Sequence, residues 1–320
     1  MTRPRPTARL ALLAGALLAP VACGASPPLP RESLVGRYVV AYFEPKDREA
    51  ASTAVEAADA LADQLQHDLE LELEGRAGIV VCSTHADLER QAGRTLGTWI
   101  LGLADPPGHR VLIKALPPTT LRQVARHELV HLLLGQALGD YEPRAPRWLH
   151  EGAAKYYAED WSGGERALLA EAAREGKLYR IADLATFPTH PDRAAIAYAE
   201  SYVLVRYLVS LDPGHRLSPF IANLRETQDL SRAFRRAYGR STEEIEKGLR
   251  EAILRETRSA LPAWAVDTAI FFAMAVLFLI GVWRVRKRSR AIRERMEQEE
   301  LLGRLFDESR RRRRLWGPGP

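Results

Sequence analysis

Cysteine is scarce in this chain, with two in 320 residues, and Cys23 lies in an N-terminal stretch that reads as an export signal. If Cys23 is removed with that stretch or acylated, Cys82 is left alone and no intrachain disulfide can form. Cys82 follows Ile79-Val80-Val81 and is expected as a buried strand residue. The body of the chain also lacks an excess of basic charge. Of the net +5, residues 284–320 supply +7, from 13 basic and 6 acidic residues, and Arg3, Arg5 and Arg9 supply +3, which leaves −5 for the rest. The pI near 9.3 therefore reports the two ends, and no nucleic-acid partner is indicated. The part between the ends shows no internal repeat.

The ends carry the long apolar runs. Three arginines, the run Leu10 to Ala19 and the small residues from Val21 to Ser26 form the basic, apolar and small segments of an export signal over residues 1–25. Cys23, after Val21-Ala22, resembles a lipid-attachment cysteine, although Pro20 departs from the usual box; ordinary cleavage near Ala22 to Ala25 is the alternative. A Pro-rich spacer is expected over 26–34. Near the other end, Pro262 to Trp283 holds one charge, Asp267. As a helix it is about 33 Å long, enough to cross a bilayer. Trp264 and Trp283 sit at its ends, and Arg284, Arg286, Lys287, Arg288 and Arg290 follow at once. By the positive-inside rule the tail 284–320, with its run Arg310 to Arg314, is cytoplasmic, and the residues before the span are extracytoplasmic, periplasmic or at the cell surface. The membrane is thus an expected partner.

Between the ends, Tyr38–Phe43 and Gly78–Ser83 read as strands, residues 47–70 as an amphipathic helix and His85–Gln91 as a short one. Thr95–Leu103 and Arg110–Leu116 read as two further strands around the turn Asp105-Pro106-Pro107-Gly108. From residue 119 the pattern is helical. The expected fold class is α+β: a small sheet with helices, then a mostly helical half, over a domain spanning 35–260.

One helix carries chemistry. It is expected to begin near Thr120 with a capping box, Thr120-Leu121-Arg122-Gln123, and it contains His127-Glu128-Leu129-Val130-His131. Four residues are just over one turn, so His127 and His131 share a face and can share a metal ion, with Glu128 beside them. The apolar neighbours Val124, Leu129, Val130, Leu132, Leu133 and Leu134 argue for deep packing. Three buried polar side chains would then cost several kcal/mol unless something satisfies them, and a divalent cation does. A hydrolytic zinc site needs a third protein ligand. The best candidate is Glu151, in a second helix that Pro146 would open at its first position. Gly152, Ala153 and Ala154 are small enough to let that helix approach the first, and Gly139 and Pro143 lie in a linker that can reverse the chain.

H-E-L-V-H, 19 intervening residues and Trp148-Leu149-His150-Glu151-Gly152-Ala153-Ala154-Lys155-Tyr156 together resemble the gluzincin zinc metallopeptidases, in particular the peptidase MA-like group related to the aminopeptidase N family. The resemblance implies Zn2+ held by His127, His131 and Glu151, with Glu128 as general base. Tyr198, in Tyr198-Ala199-Glu200-Ser201-Tyr202, falls where those enzymes place a tyrosine that stabilises the transition state; a packed aromatic is the other reading. The sequence departs from the family twice. No G-x-M-E-N segment precedes the motif, and Leu96-Gly97-Thr98-Trp99-Ile100 stands in its region, which favours an endopeptidase over an aminopeptidase. Lys155 stands where thermolysin-like enzymes have an aspartate supporting a zinc-binding histidine. His150 is a cleft-lining residue or an alternative ligand.

The implied activity is hydrolysis of peptides or proteins, Glu128 taking a proton from a metal-activated water and passing it to the leaving amine. The alternative is a membrane-tethered zinc-containing binding or scaffold protein without turnover, and a third reading, an interaction protein acting through its cytoplasmic tail, is compatible with the first.

Overall fold

The computed structural model describes residues 29–73 and 75–258, with 272, 274–278 and 280. The export signal over 1–25, the tail over 284–320 and all of the span over 262–283 except those seven positions lie outside the described residues. The chain divides into two units, at Ala260 and Leu261.

In the first unit a five-stranded sheet comes first: β1 (Glu32–Val35), β2 (Val39–Phe43), β3 (Ala77–Cys82), β4 (Gly102–Asp105) and β5 (Arg110–Lys114). Their order is β1-β2-β3-β5-β4. The middle three are parallel and both outer pairs antiparallel. Helix α1 (Arg48–Leu69) crosses between β2 and β3, and its buried face of Ala51, Ala54, Ala58, Leu61 and Leu65 covers one side of the sheet together with α3 (Pro118–Leu138). The short α2 (His85–Ala92) covers the other side over Val80, Cys82, Leu103 and Leu112. Cys82 is buried there, as its apolar run suggested, and burial pushes its thiol up to about 12.

Four local expectations need correction. The spacer over 26–34 is too long, because Glu32–Val35 forms β1 against β2. Four residues with alternate burial are too short a signal once prolines precede them. Of the strand over Thr95–Leu103 only Gly102 and Leu103 are extended, as the start of β4, which runs on to Asp105. Leu96 and Ile100 are buried through a turn in which Ile100 N–H donates to Gly97 O, so the apolar residues there are core-facing loop. The helix expected from Thr120 starts at Pro118, after Pro117, without a side-chain cap. Proline at the first helical position has φ preset and no N–H to satisfy, so the Thr120 capping box is not made. Pro146, expected at the first position of the second site helix, instead stands just before it as the N-cap, with extended backbone.

The helical half comprises α4 (Arg147–Tyr157), α5 (Gly163–Arg174), α6 (Pro191–Leu211), α7 (Ser218–Thr227), α8 (Leu230–Tyr238) and α9 (Thr242–Thr257). A methyl at Gly152 would overlap the Ser201 carbonyl, so glycine there lets α4 lie directly on α6. Trp148 opens α4 in an aromatic cluster with Phe220 of α7 at 6.0 Å and Phe234 of α8 at 6.4 Å, which fixes the helix against the rest of the half. Among the described residues α6 alone is long and apolar enough to cross a membrane, yet 72% of its apolar stretch is buried within the protein; it is the core helix of this half.

In the second unit, residues 272, 274–278 and 280 are helical. Phe272, Met274, Val276, Leu277, Phe278 and Ile280 expose large apolar side chains there.

Candidate metal centre

Helix α3 lies across the edge of the sheet with apolar residues on nearly every side, so its polar side chains are buried: His127 fully and Glu128 at 3% exposure. The edge strand β4 approaches them closely. A Cβ at Gly102 would sit 2.7 Å from Glu128 Cγ and 2.8 Å from Val124 Cγ1. The Ala104 backbone N–H, also in β4, donates to the Glu128 carboxylate. Glu128 is thereby wedged between its helix and the sheet edge.

The face of α4 that meets α3 presents Glu151, 1% exposed. His127 Nε2 and His131 Nε2 are 3.2 Å apart. Glu151 Oε2 lies 3.9 Å from the first and 3.8 Å from the second. A tetrahedral ion with ligand bonds of about 2.0–2.1 Å has ligand atoms about 3.3–3.4 Å apart, so the three atoms are close to the edges of one coordination tetrahedron. Among the described residues this is the one group of His, Cys, Asp or Glu side chains arranged to hold a metal.

The electrostatics agree with the geometry. Burial pushes the His127 imidazole down to about 3, with the Lys155 charge adding to it, and carries His131 well below its ordinary value, with His127, His150 and Arg147 adding. Both rings are neutral and have lone pairs to offer. Burial also pushes Glu128 and Glu151 up to about 8, and for Glu128 the Glu151 charge adds. Glu151 Oε2 and His127 Nδ1 are buried without a hydrogen-bond partner. Two imidazole nitrogens at 3.2 Å must share either a proton or a cation, and an unsatisfied carboxylate oxygen facing both favours the cation. The donor set of two imidazoles and one carboxylate suits zinc in an open hydrolytic site.

Tyr198, on α6, comes to the rim of this cluster by way of a residue that the sequence reading passed over. Arg147 Nε lies 3.5 Å from Glu151 Oε1, and its Nη2 donates to the Tyr198 hydroxyl at 3.1 Å. The guanidinium stacks 4.9 Å over the Phe187 ring, which meets Tyr198 edge-to-face at 4.7 Å. Burial raises the Tyr198 pKa, and the charges of Glu151 and Glu128 add to it, so the phenol is neutral and near both carboxylates. The i, i+4 spacing of Arg147 and Glu151 was the available signal. Phe187 had none, because it comes from the loop before α6.

His150 is 4% exposed and its ring centre is 6.1 Å from that of His131. It does not belong to the converging group of His127, His131 and Glu151. Lys155 does not face the solvent; it is buried between Asp160 at 2.9 Å and Glu165 at 2.7 Å.

No curated protein matches the chain. Residues 107–255 match the family model of the Peptidase MA superfamily, a stretch that contains α3, α4 and α6 entire with His127, Glu128, His131, Arg147, Glu151 and Tyr198.

Proposed function

We propose that the chain is a zinc-dependent peptidase of gluzincin type, anchored in a membrane by residues 262–283 with its catalytic domain extracytoplasmic. The observation that carries this reading is the convergence of His127, His131 and Glu151 beside a buried Glu128 that belongs to none of the ligand pairs. A structural site has no use for that glutamate and closes its fourth position with protein. The superfamily match supports a peptidase and a metal.

In this reading the cation supplies a Lewis acid that acidifies a water molecule and polarises the scissile carbonyl. Glu128 takes the water proton on its carboxylate and delivers it to the leaving nitrogen. Its raised proton affinity, due first to burial, suits a group that must hold a proton between two steps. Arg147 donates to the Tyr198 oxygen, which leaves the tyrosine proton free to point at the developing oxyanion. Strand β4 is an edge strand whose Ala104 N–H faces Glu128. An extended peptide laid along that edge presents its backbone to the site. The absence of a G-x-M-E-N segment, with a loop carrying the exposed Trp99 in its place, favours cleavage within a chain.

Membrane anchoring rests on the apolar span, its flanking tryptophans and the arginines beyond it. The exposed apolar side chains at 272–280 suit a lipid environment.

The test is metal analysis of the detergent-purified chain together with cleavage of a diverse peptide library. About one zinc per chain and cleavage that a chelator stops and zinc restores are expected; a protein that binds no divalent metal, or binds it without cleaving any peptide, overturns the reading. Within the same assay Tyr198→Phe is expected to lower kcat by roughly 10²-fold, the usual effect of losing one oxyanion donor, with KM nearly unchanged. Unaltered kcat would return Tyr198 to a packing role.

A further inference from the structure

The position four residues after Glu151 is occupied by Lys155, a cation where a metal site would favour an anion. The surroundings of that lysine show how the site tolerates it. Gln123 stands one turn before His127 on α3, and Lys155 one turn after Glu151 on α4, so the two continue the ligand-bearing faces beyond the metal cluster. Between them lies Asp160, in the turn that ends α4. Its Oδ1 accepts from Gln123 Nε2 at 2.5 Å and its Oδ2 accepts from Lys155 Nζ at 2.9 Å. One carboxylate therefore joins the two helices, one oxygen to each. The turn that presents it is itself held: Glu159 is left-handed with φ 56°, and Asp160 N–H donates back to Lys155 O at 2.9 Å.

A second group completes the arrangement. Glu165 accepts from Lys155 through Oε1 at 2.7 Å and caps α5 through Oε2, taking Ser162 N–H at 3.0 Å and Ser162 Oγ–H at 2.9 Å. Two carboxylates face one ammonium, so the cluster is net negative beside a site for a cation. Burial works against the Lys155 charge, but Asp160 and Glu165 outweigh it and hold its pKa above the ordinary value.

We propose that Asp160 is a positioning residue for the metal site: by bonding Gln123 and Lys155 at once it sets the spacing of α3 and α4 that brings His127, His131 and Glu151 together, and it draws the Lys155 ammonium away from the cation. The proposal rests on the metal-binding reading of those three residues. It takes up, five positions further along the chain, the support that the residue at position 155 does not give. His127, one turn after Gln123 on α3 and with its Nδ1 buried without a hydrogen-bond partner, is the ligand most exposed to a change in this cluster.

The experiment measures the zinc dissociation constant of the full chain by competition with a chromophoric chelator, for the parent protein, Asp160→Asn and Gln123→Met. Asp160→Asn is expected to weaken zinc binding by roughly 10–100-fold, the range found when a residue supporting a metal ligand is lost. Gln123→Met removes the bond to α3 without altering charge and is expected to weaken it by roughly 10-fold. Adding Lys155→Met to Asp160→Asn removes the ammonium that then has Glu165 alone to hold it and is expected to recover part of the loss, a recovery that general destabilisation would not produce. Thermal unfolding of the zinc-free proteins, followed by far-ultraviolet circular dichroism, verifies that each variant is folded. Equal zinc affinity in the parent, Asp160→Asn and Gln123→Met overturns the proposal. A parent protein that takes up no zinc at all overturns the metal reading beneath it, and the two failures are distinguishable in one titration.

Discussion

Glu128→Gln is expected to abolish peptide hydrolysis while the protein keeps its metal. Glutamine has nearly the same volume, so the contact with Gly102 of β4 and the packing of α3 are retained. Its amide cannot accept a proton at the pH of the assay, and the Ala104 N–H that the carboxylate accepts still finds a carbonyl oxygen. The loss is therefore confined to proton transfer, for which a positioned general base contributes about 10²–10⁴-fold. A fall in kcat of roughly 10³-fold or more is expected, with zinc content unchanged. The measurement is kcat with the best library peptide alongside metal content of the same preparation. Turnover within about threefold of the parent would show that another group takes the proton.

Glu151→Gln is expected to give the complementary outcome, loss of metal from a folded protein. The carboxylate is the one anionic ligand of the three, and its Oε2 has no other hydrogen-bond partner, so a neutral amide there offers the cation little. Apparent binding free energies of protein zinc sites are about 10–16 kcal/mol. Losing one of three protein ligands is then expected to cost about 3–5 kcal/mol, roughly 10²–10⁴-fold in affinity. His127→Ala and His131→Ala belong to the same class, but they leave cavities in a buried helix, and the Glu151 variant is the cleaner test. Chelator competition reads the affinity. Retention of zinc at parental affinity would remove Glu151 from the ligand set, and with it the role assigned to the W-L-H-E-G segment.

The contrast between the two variants matters more than either alone. Glu128 and Glu151 are both buried carboxyl groups, both pushed up to about 8 by burial, and both near the same cluster. Only Glu151 is aimed at the two Nε2 atoms, whereas Glu128 is held toward the sheet edge. Metal binding and proton transfer should therefore separate cleanly. A non-catalytic zinc protein would lose metal with Glu151→Gln and show nothing with Glu128→Gln.

What the sequence by itself determined is what depends on neighbours along the chain. His127 and His131 lie one turn apart on any helix, and the apolar residues around them made that helix a buried one; both follow from the 3.6-residue period alone. The W-L-H-E-G segment was legible in the same way, as a helix with small residues on one face. The α+β division, with strands before residue 119 and helices after it, came from patterns of period two and 3.6. Helix starts were less legible, because Pro118 set the first turn of α3 ahead of the capping residues that the motif suggested. Strand ends at Glu32 and Gly102 were set by pairing with β2 and β5, which the short local patterns did not show.

Only the tertiary structure decided which groups complete the site. Arg147 reaches Tyr198 across 51 residues of chain, and Gln123 reaches Asp160 across 37; neither pair has a periodic signature. Gly102 matters only because β4 is the strand at the edge beside α3, and Gly152 only because α4 lies on α6. The physical reason is common to all of them. Local geometry places side chains on a face, but which faces meet is settled by the packing of the whole core, and a metal site is built where such faces meet.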